Sequence, residues 1–211
     1  MKCLTEECGD NVWGLTIYRC TYSDDSAWTR FMAIINERTR YSLDRQSLPE
    51  LFTTLDWNVQ DDRRLLDGAT VDFVRERFKL WKAEALKGVD ERLIKCALPR
   101  HNHCIHVDEA ALRSVVDAPE PPPPKFHIPG LDTKRPPMNL DGYVNLVAEV
   151  WDEDEGRDSG VDEPEVDGED YADVGYCRVQ ADYLAPTVYV QLMEQQGYRW
   201  LYNRPPGMAY I

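Results

Sequence analysis

A strand that leads directly into a helix, within residues 96–116, most constrains the fold of this 211-residue chain. Side chains alternate along residues 101–107, so one face of the predicted strand carries His101, His103, Ile105 and Val107. The other face carries Cys104 and His106. Asp108 follows as the predicted N-cap of the helix, whose apolar stripe is Ala111, Leu112, Val115 and Val116. A chain with this join must combine a sheet with helices that cover it.

The same stretch holds three of the four histidines and supplies the candidate site residues. Imidazole and thiolate groups suit zinc or copper, so one hypothesis is a metal site made of His101, His103 and Cys104. The alternation counts against one site that uses every histidine, because His103 and His106 point to opposite faces. A second hypothesis is general acid–base chemistry by His103 or His106, oriented by Asp108. The third is that these histidines are ordinary side chains of a sheet.

Hydrophobic periodicity predicts the elements elsewhere in the chain. Further strands are predicted at residues 12–22, 51–59, 143–151, 175–179 and 198–202. Helices are predicted after two polar caps, at residues 23–26 and at Thr70, and a last helix is predicted from Pro186 to Gly197.

This order of elements predicts an α+β fold. The second half of the chain has the order β-α-β-β-α-β, which is typical of a ferredoxin-like (split βαβ) sandwich. The first half adds an extra N-terminal β-α-β-α portion. A pseudo-duplicated α+β barrel is the alternative.

Two segments of biased composition interrupt the single α+β domain predicted for residues 1–211. Eight of the fourteen prolines lie within residues 119–137, which predicts a stiff proline-rich connector. Residues 152–173 contain twelve acidic residues and one arginine, which predicts an acidic loop. An EF-hand does not fit this loop, because the twelfth position of the best register is Val174 instead of glutamate.

Charge and motifs exclude several classes of protein. The formal net charge of −14 disfavours nucleic acid and anionic membranes as partners, because phosphate binding needs a basic face. The sequence contains no apolar run of the length of a membrane span and begins without an apolar signal segment. Six scattered cysteines without such a signal predict reduced thiols and a cytoplasmic location. No dinucleotide-binding, Walker or hydrolase-elbow glycine motif is present.

Several stretches together resemble a family of predicted intracellular proteins from filamentous ascomycete fungi. They are WGLTIYRCTYSDDSAWTRFM, the join CIHVDEAAL, the acidic insert and the closing YRWLYNRPPG. The resemblance implies a fungal, cytosolic protein that is accessory to specialised metabolism. That family has no established activity, so the resemblance implies no site residue.

Three functions are compatible with these features. The leading hypothesis is a binding domain whose aromatic-rich sheet face or acidic loop engages a small molecule or a protein. The second is a cofactor-free isomerase, cyclase or dehydratase that acts on a hydrophobic metabolite, with His103 or His106 as the base and Asp108 nearby. The third is a zinc- or copper-binding protein that uses the histidine cluster.

Overall fold

A computed structural model describes residues 12–88, 98–118, 139–151, 173–194 and 196–209. The predicted proline-rich connector lies outside the described residues, and Asp173 is the part of the predicted acidic loop that lies within them.

Five strands form one mixed sheet: β1 Thr16–Arg19, β2 Val59–Gln60, β3 His103–Val107, β4 Tyr143–Ala148 and β5 Tyr176–Gln180. The α-helices of the described residues are α1 Asp25–Arg45, α2 Arg63–Leu66, α3 Val71–Ala85, α4 Pro99–Asn102, α5 Glu109–Val116, α6 Tyr189–Gln191 and α7 Gly197–Leu201. The predicted α+β class is therefore confirmed.

The strand order is β2-β1-β3-β4-β5. Strand β1 pairs in parallel with both β2 and β3, whereas β4 is antiparallel to β3 and to β5. This order differs from the ferredoxin-like arrangement, in which another strand separates two parallel strands joined by a helix. Here β3 and β4, with α5 between them in sequence, are antiparallel neighbours. Within the described residues β2 and β5 are opposite edges, so the sheet is open and differs from the alternative barrel.

Side-chain caps begin the three helices that the sequence predicts most clearly. The carboxylate of Asp24 accepts a hydrogen bond from the Ala27 amide, and that of Asp108 accepts one from the Ala111 amide. The hydroxyl of Thr70 accepts a hydrogen bond from the Phe73 amide. Such caps satisfy amides that have no partner inside the helix, so they set where each helix starts.

Helices cover both faces of the sheet. The first face packs against α1, α5 and the C-terminal segment, and its core includes Ile17, Ile105, Leu146, Phe31 and Leu112. The second face packs against α3, and its core includes Tyr18, Cys104, Val147, Val74 and Phe78. The pattern follows from alternation along each strand, which sends successive side chains to opposite faces.

The strand predicted at residues 51–59 is wrong over most of its length. Residues Pro49–Thr54 form a 3₁₀ helix, and the strand that follows is only Val59–Gln60. The hydroxyls of Thr53 and Thr54 donate to the carbonyl oxygens of Glu50 and Leu51. These local bonds replace strand pairing, and Pro49 favours the first turn of a helix.

The strands predicted at residues 12–22 and 143–151 are shorter in the structure, and His101 and residues 198–202 belong to other elements than predicted. His101 lies on α4 rather than in the strand, because Pro99 starts a helical turn there and β3 begins at His103. The predicted strand at residues 198–202 is wrong, since α7 occupies it. A side chain at Gly197 would collide with the carbonyl oxygen of Gln191, so glycine permits the close approach at the start of α7.

Candidate functional site

His106 and Asp108 lie at the carboxyl end of β3 and are joined through Asn145 on β4. The Asn145 side-chain amide lies 3.1 Å from His106 Nδ1 and 3.4 Å from Asp108 Oδ2. His106 Nε2 lies 2.8 Å from the carbonyl oxygen of Ala69. A carbonyl only accepts, so Nε2 carries the proton, and Nδ1 accepts from the amide. Both ring nitrogens of His106 are thus occupied within the protein, and no lone pair remains for a general base.

Sequence reasoning missed Asn145. It is 4 % exposed and lies opposite His106 in the register of β3 and β4. One feature of the sequence could have identified it: Asn145 is an amide side chain between Val144 and Leu146, in a predicted strand whose neighbouring residues are apolar. A buried amide needs hydrogen-bond partners, so its presence there indicates a polar group on the neighbouring strand.

We expect Asn145→Leu to lower the free energy of unfolding by about 2 kcal/mol, because His106 Nδ1 would stay buried without a donor. Urea denaturation measures the change. Gln180→Leu is the matched control on β5, since its amide donates to the Leu140 carbonyl at an exposed position. Equal, small effects of the two substitutions would contradict a structural role for the Asn145 amide.

Glu109 joins the two helices that leave the carboxyl ends of β1 and β3. Its carboxylate accepts hydrogen bonds from Ser23 Oγ at 2.6 Å, from the Thr21 hydroxyl, and from Arg113 Nε at 2.7 Å. These bonds lower the pKa of Glu109 to about 2. Arg113 also pairs with Asp24, the cap of α1, at 3.3 Å. The charges at this end of the sheet thus satisfy one another, and they hold α1 beside α5.

His103 lies at the opposite, amino end of β3, on the first face. Its ring stacks on Tyr198 of α7, with 5.3 Å between ring centroids and 29° between the ring planes. Both residues keep partial exposure. Nevertheless, His103 Nδ1 and the Tyr198 hydroxyl oxygen are each buried and have no hydrogen-bond partner. We call these two side chains the His103–Tyr198 pair.

Burial changes the acidity of both members of the pair. It lowers the pKa of His103 to about 4. A hydrogen bond between the imidazole and the Pro99 backbone opposes this shift, and the positive charge of Lys82 adds to it. Burial likewise raises the pKa of Tyr198 above its usual range. Both groups are therefore neutral near pH 7.

The three residues proposed as metal ligands do not converge. His103 lies on the first face, whereas Cys104 is fully buried in the core of the second face. The His101 ring lies over Trp81, with 6.0 Å between centroids. Burial raises the pKa of the Cys104 thiol well above its usual value, which disfavours the thiolate that a metal would bind. Among the described residues, no three His, Cys, Asp or Glu side chains are grouped to hold a metal ion.

Arg75 of α3 fixes the ends of β4 and β5 close to the His103–Tyr198 end of the sheet. Its guanidinium donates at 3.0 Å to the carbonyl oxygens of both Ala148 and Gly175. It also pairs with Asp72 at 2.5 Å and lies 5.1 Å from the ring centroid of Trp151. The Arg75 side chain is 5 % exposed, so its bonds to the two carbonyl oxygens form out of water, whereas Asp72 is largely exposed. Arg75 thus binds the backbone at two residues, Ala148 and Gly175, that flank the predicted acidic loop in the sequence.

Comparison of the chain with protein-family models, curated proteins and solved structures finds no match. Among the helices of the described residues, none has both the length and the apolar character required to cross a membrane. The candidate site therefore rests on geometry alone. Among the described residues, the His103–Tyr198 pair is one place where buried polar atoms of two neighbouring, partly exposed side chains lack hydrogen-bond partners.

Proposed function

We propose that the protein is a non-catalytic binding domain for a small molecule and that the His103–Tyr198 pair is its recognition site. The supporting observation is that two buried polar atoms, His103 Nδ1 and the Tyr198 hydroxyl, have no hydrogen-bond partner. A buried polar atom without a partner costs about 1–3 kcal/mol, so such atoms need a reason to be kept. A bound molecule that donates to one atom and accepts from the other removes this cost.

The position of the pair supports access by a ligand. Both residues retain partial exposure, although the two unpartnered atoms themselves are buried. Tyr202, whose ring centroid is 6.0 Å from that of Tyr198, adds a second phenol ring beside the pair. The Tyr202 hydroxyl accepts a hydrogen bond from the Val174 amide at 3.1 Å, and this bond holds the Tyr202 ring beside the residues that precede β5. Aromatic walls around a few polar atoms are typical of small-molecule sites.

A cofactor-free isomerase, cyclase or dehydratase is the second candidate. It is favoured by the same unpartnered Nδ1, since a neutral imidazole with a free nitrogen is a base. A general base works best when its pKa lies near the working pH, and the pKa of His103 is about 4. His103 is thus a weak base. His106 cannot serve as the base either, because both of its ring nitrogens form hydrogen bonds within the protein. Binding without turnover is the better-supported function.

The proposed location is the cytoplasm, in a fungal cell, where the protein is accessory to specialised metabolism. The resemblance described above supports the source, and the buried free thiols of Cys20, Cys104 and Cys177 support a reducing compartment. We propose no nucleic acid or membrane partner, because the net charge is −14.

The test is a survey of uncharged aromatic fragments by ligand-observed NMR on the full chain and on Tyr198→Phe. We expect a set of fragments to bind the unmodified protein and to lose binding in Tyr198→Phe. The variant should unfold at the same urea concentration or a higher one, because the lost hydroxyl has no partner to leave behind. Tyr176→Phe, on the second face of the same sheet end, is the matched control and should retain binding.

The survey has two contradicting outcomes. Fragments that bind equally to Tyr198→Phe would place the site elsewhere. No binding to the unmodified protein would refute the proposed function.

A further inference from the structure

The His103–Tyr198 pair also constrains the chemistry of its ligand, and the inference rests on the proposed function. We infer that the ligand is a neutral aromatic alcohol or phenol whose hydroxyl group bonds to His103 Nδ1 and to the Tyr198 hydroxyl. The argument uses the hydrogen-bonding capacity of the two side chains, the fixed charges around them and the shape of the aromatic surface.

A hydroxyl group matches the pair whichever tautomer His103 adopts. An unprotonated Nδ1 accepts a hydrogen bond, whereas a protonated Nδ1 donates one. The phenol of Tyr198 does both. A ligand hydroxyl also donates one hydrogen bond and accepts others, so it satisfies both buried atoms in either case. An ether accepts only, and it cannot satisfy an unprotonated Nδ1.

The charges near the pair disfavour an anionic ligand. Lys82 is the cation that acts on the His103 ring, and its ammonium group pairs with Glu149 at 2.8 Å. Arg75 is committed to two carbonyl oxygens and to Asp72. A carboxylate ligand would therefore lose its hydration without finding either Lys82 or Arg75 free to pair with it.

A cationic ligand is disfavoured by the same surroundings. The ammonium of Lys82 repels positive charge at the imidazole, as its effect on the His103 pKa indicates. Neither member of the pair is a carboxylate that would neutralise a bound cation. A neutral ligand avoids both penalties.

The rings of the pair favour an aromatic body. His103 and Tyr198 are stacked, and the ring of Tyr202 is tilted by 49° from that of Tyr198. Offset and edge contacts between aromatic rings stabilise a complex beyond the burial of area alone. A phenol carries its hydroxyl group at the edge of an aromatic ring. One rigid molecule can therefore form both the ring contacts and the hydrogen bonds.

Four probes of similar size, which share a p-methylphenyl group and differ in the polar substituent, test the inference on the full chain: p-cresol, p-methylanisole, p-toluate and p-methylbenzylamine. Binding is titrated by NMR at about pH 7, where the last two are charged. We expect p-cresol to bind about fivefold or more tightly than p-methylanisole, since the ether lacks one hydrogen bond. The two ions should bind more weakly still. Tyr198→Phe and His103→Phe should each reduce the preference for p-cresol, whereas Tyr176→Phe should keep it.

The outcomes separate this inference from the proposed function. Equal binding of p-cresol and p-methylanisole, or tighter binding of either ion, overturns the ligand class but leaves a small-molecule site. Binding of none of the four probes overturns the ligand class as well, while hits in the wider fragment survey would still support a binding domain. Urea denaturation of each variant confirms that lost binding does not reflect unfolding.

Discussion

Acidification from about pH 7 to pH 4 is expected to lower the free energy of unfolding by about 3 kcal/mol through His103 alone. The pKa of its imidazole is 6.5 in a solvated chain and about 4 in the folded protein. As the pH falls through 6.5, His103 is protonated in the unfolded chain but stays neutral in the folded protein. The unfolded state therefore gains stability until the folded imidazole is protonated as well.

Urea denaturation at several pH values measures this effect, and His103→Phe isolates it. The variant keeps an aromatic ring against Tyr198 but cannot titrate, so its stability should depend much less on pH over that interval. His101→Phe is the matched control, because the His101 ring lies against Trp81 at the same end of β3.

Three carboxyl groups also contribute, with different signs. The pKa of Asp173 is raised, chiefly by burial, so its protonation favours the folded state as the pH falls. The pKa of Glu109 is lowered to about 2, so its protonation disfavours the folded state below its ordinary pKa of 4.5. The pKa of Asp24 is lowered, chiefly by the hydrogen bond from the Ala27 amide, and its contribution has the same sign as that of Glu109. These contributions are shared by the two proteins and cancel in the comparison. The same pH dependence in His103→Phe as in the unmodified protein would refute the buried neutral imidazole.

Replacement of Arg75 is expected to have a comparable effect. Arg75→Leu should lower the free energy of unfolding by about 3 kcal/mol, because it removes two hydrogen bonds from a buried charged group to carbonyl oxygens. One of these oxygens, that of Gly175, keeps the Ala148 amide as a second donor. Those oxygens belong to Ala148 and Gly175, at the ends of β4 and β5. The loss should be seen in urea denaturation and as faster amide exchange at that end of the two strands.

Arg77→Leu is the control for this substitution, since Arg77 lies on the same helix but is exposed. We expect it to change stability by less than about 0.5 kcal/mol. An Arg75→Leu variant as stable as Arg77→Leu would show that the carbonyl oxygens find other partners. Arg75 would then not be what joins α3 to the ends of these strands.

Local sequence patterns predicted the elements whose partners lie close along the chain. Asp24, Thr70 and Asp108 begin helices in the structure as the capping pattern requires. The buried positions of α5 are Ala111, Leu112 and Val115 of its predicted apolar stripe, since a helix repeats its covered face every few residues. Alternation also separated His103 from His106, which lie on opposite faces of β3 and at opposite ends of it.

The same patterns predicted the wrong element where the residues present are common in both strands and helices. Aromatic residues at 198–202 read as a strand, yet α7 turns Tyr198 and Leu201 inward and leaves Trp200 61 % exposed. Residues 51–59 alternate well, but the local bonds of Thr53 and Thr54 favour a 3₁₀ helix. A short window cannot compare these local bonds with the pairing offered by a distant strand.

The sequence by itself determined that helices cover a sheet, where the main helices begin, and which side chains within residues 103–116 share a face. Only the tertiary structure decided the strand order, the contact of Asn145 with His106, and the stacking of Tyr198 on His103. Caps and periodicity depend on neighbours within a few residues, which the sequence displays directly. Strand pairing joins residues that are 29 or more positions apart, and the two contacts join residues that are 39 or more positions apart. Such contacts form only when the whole core packs, because burial then selects one arrangement among many that satisfy the local patterns.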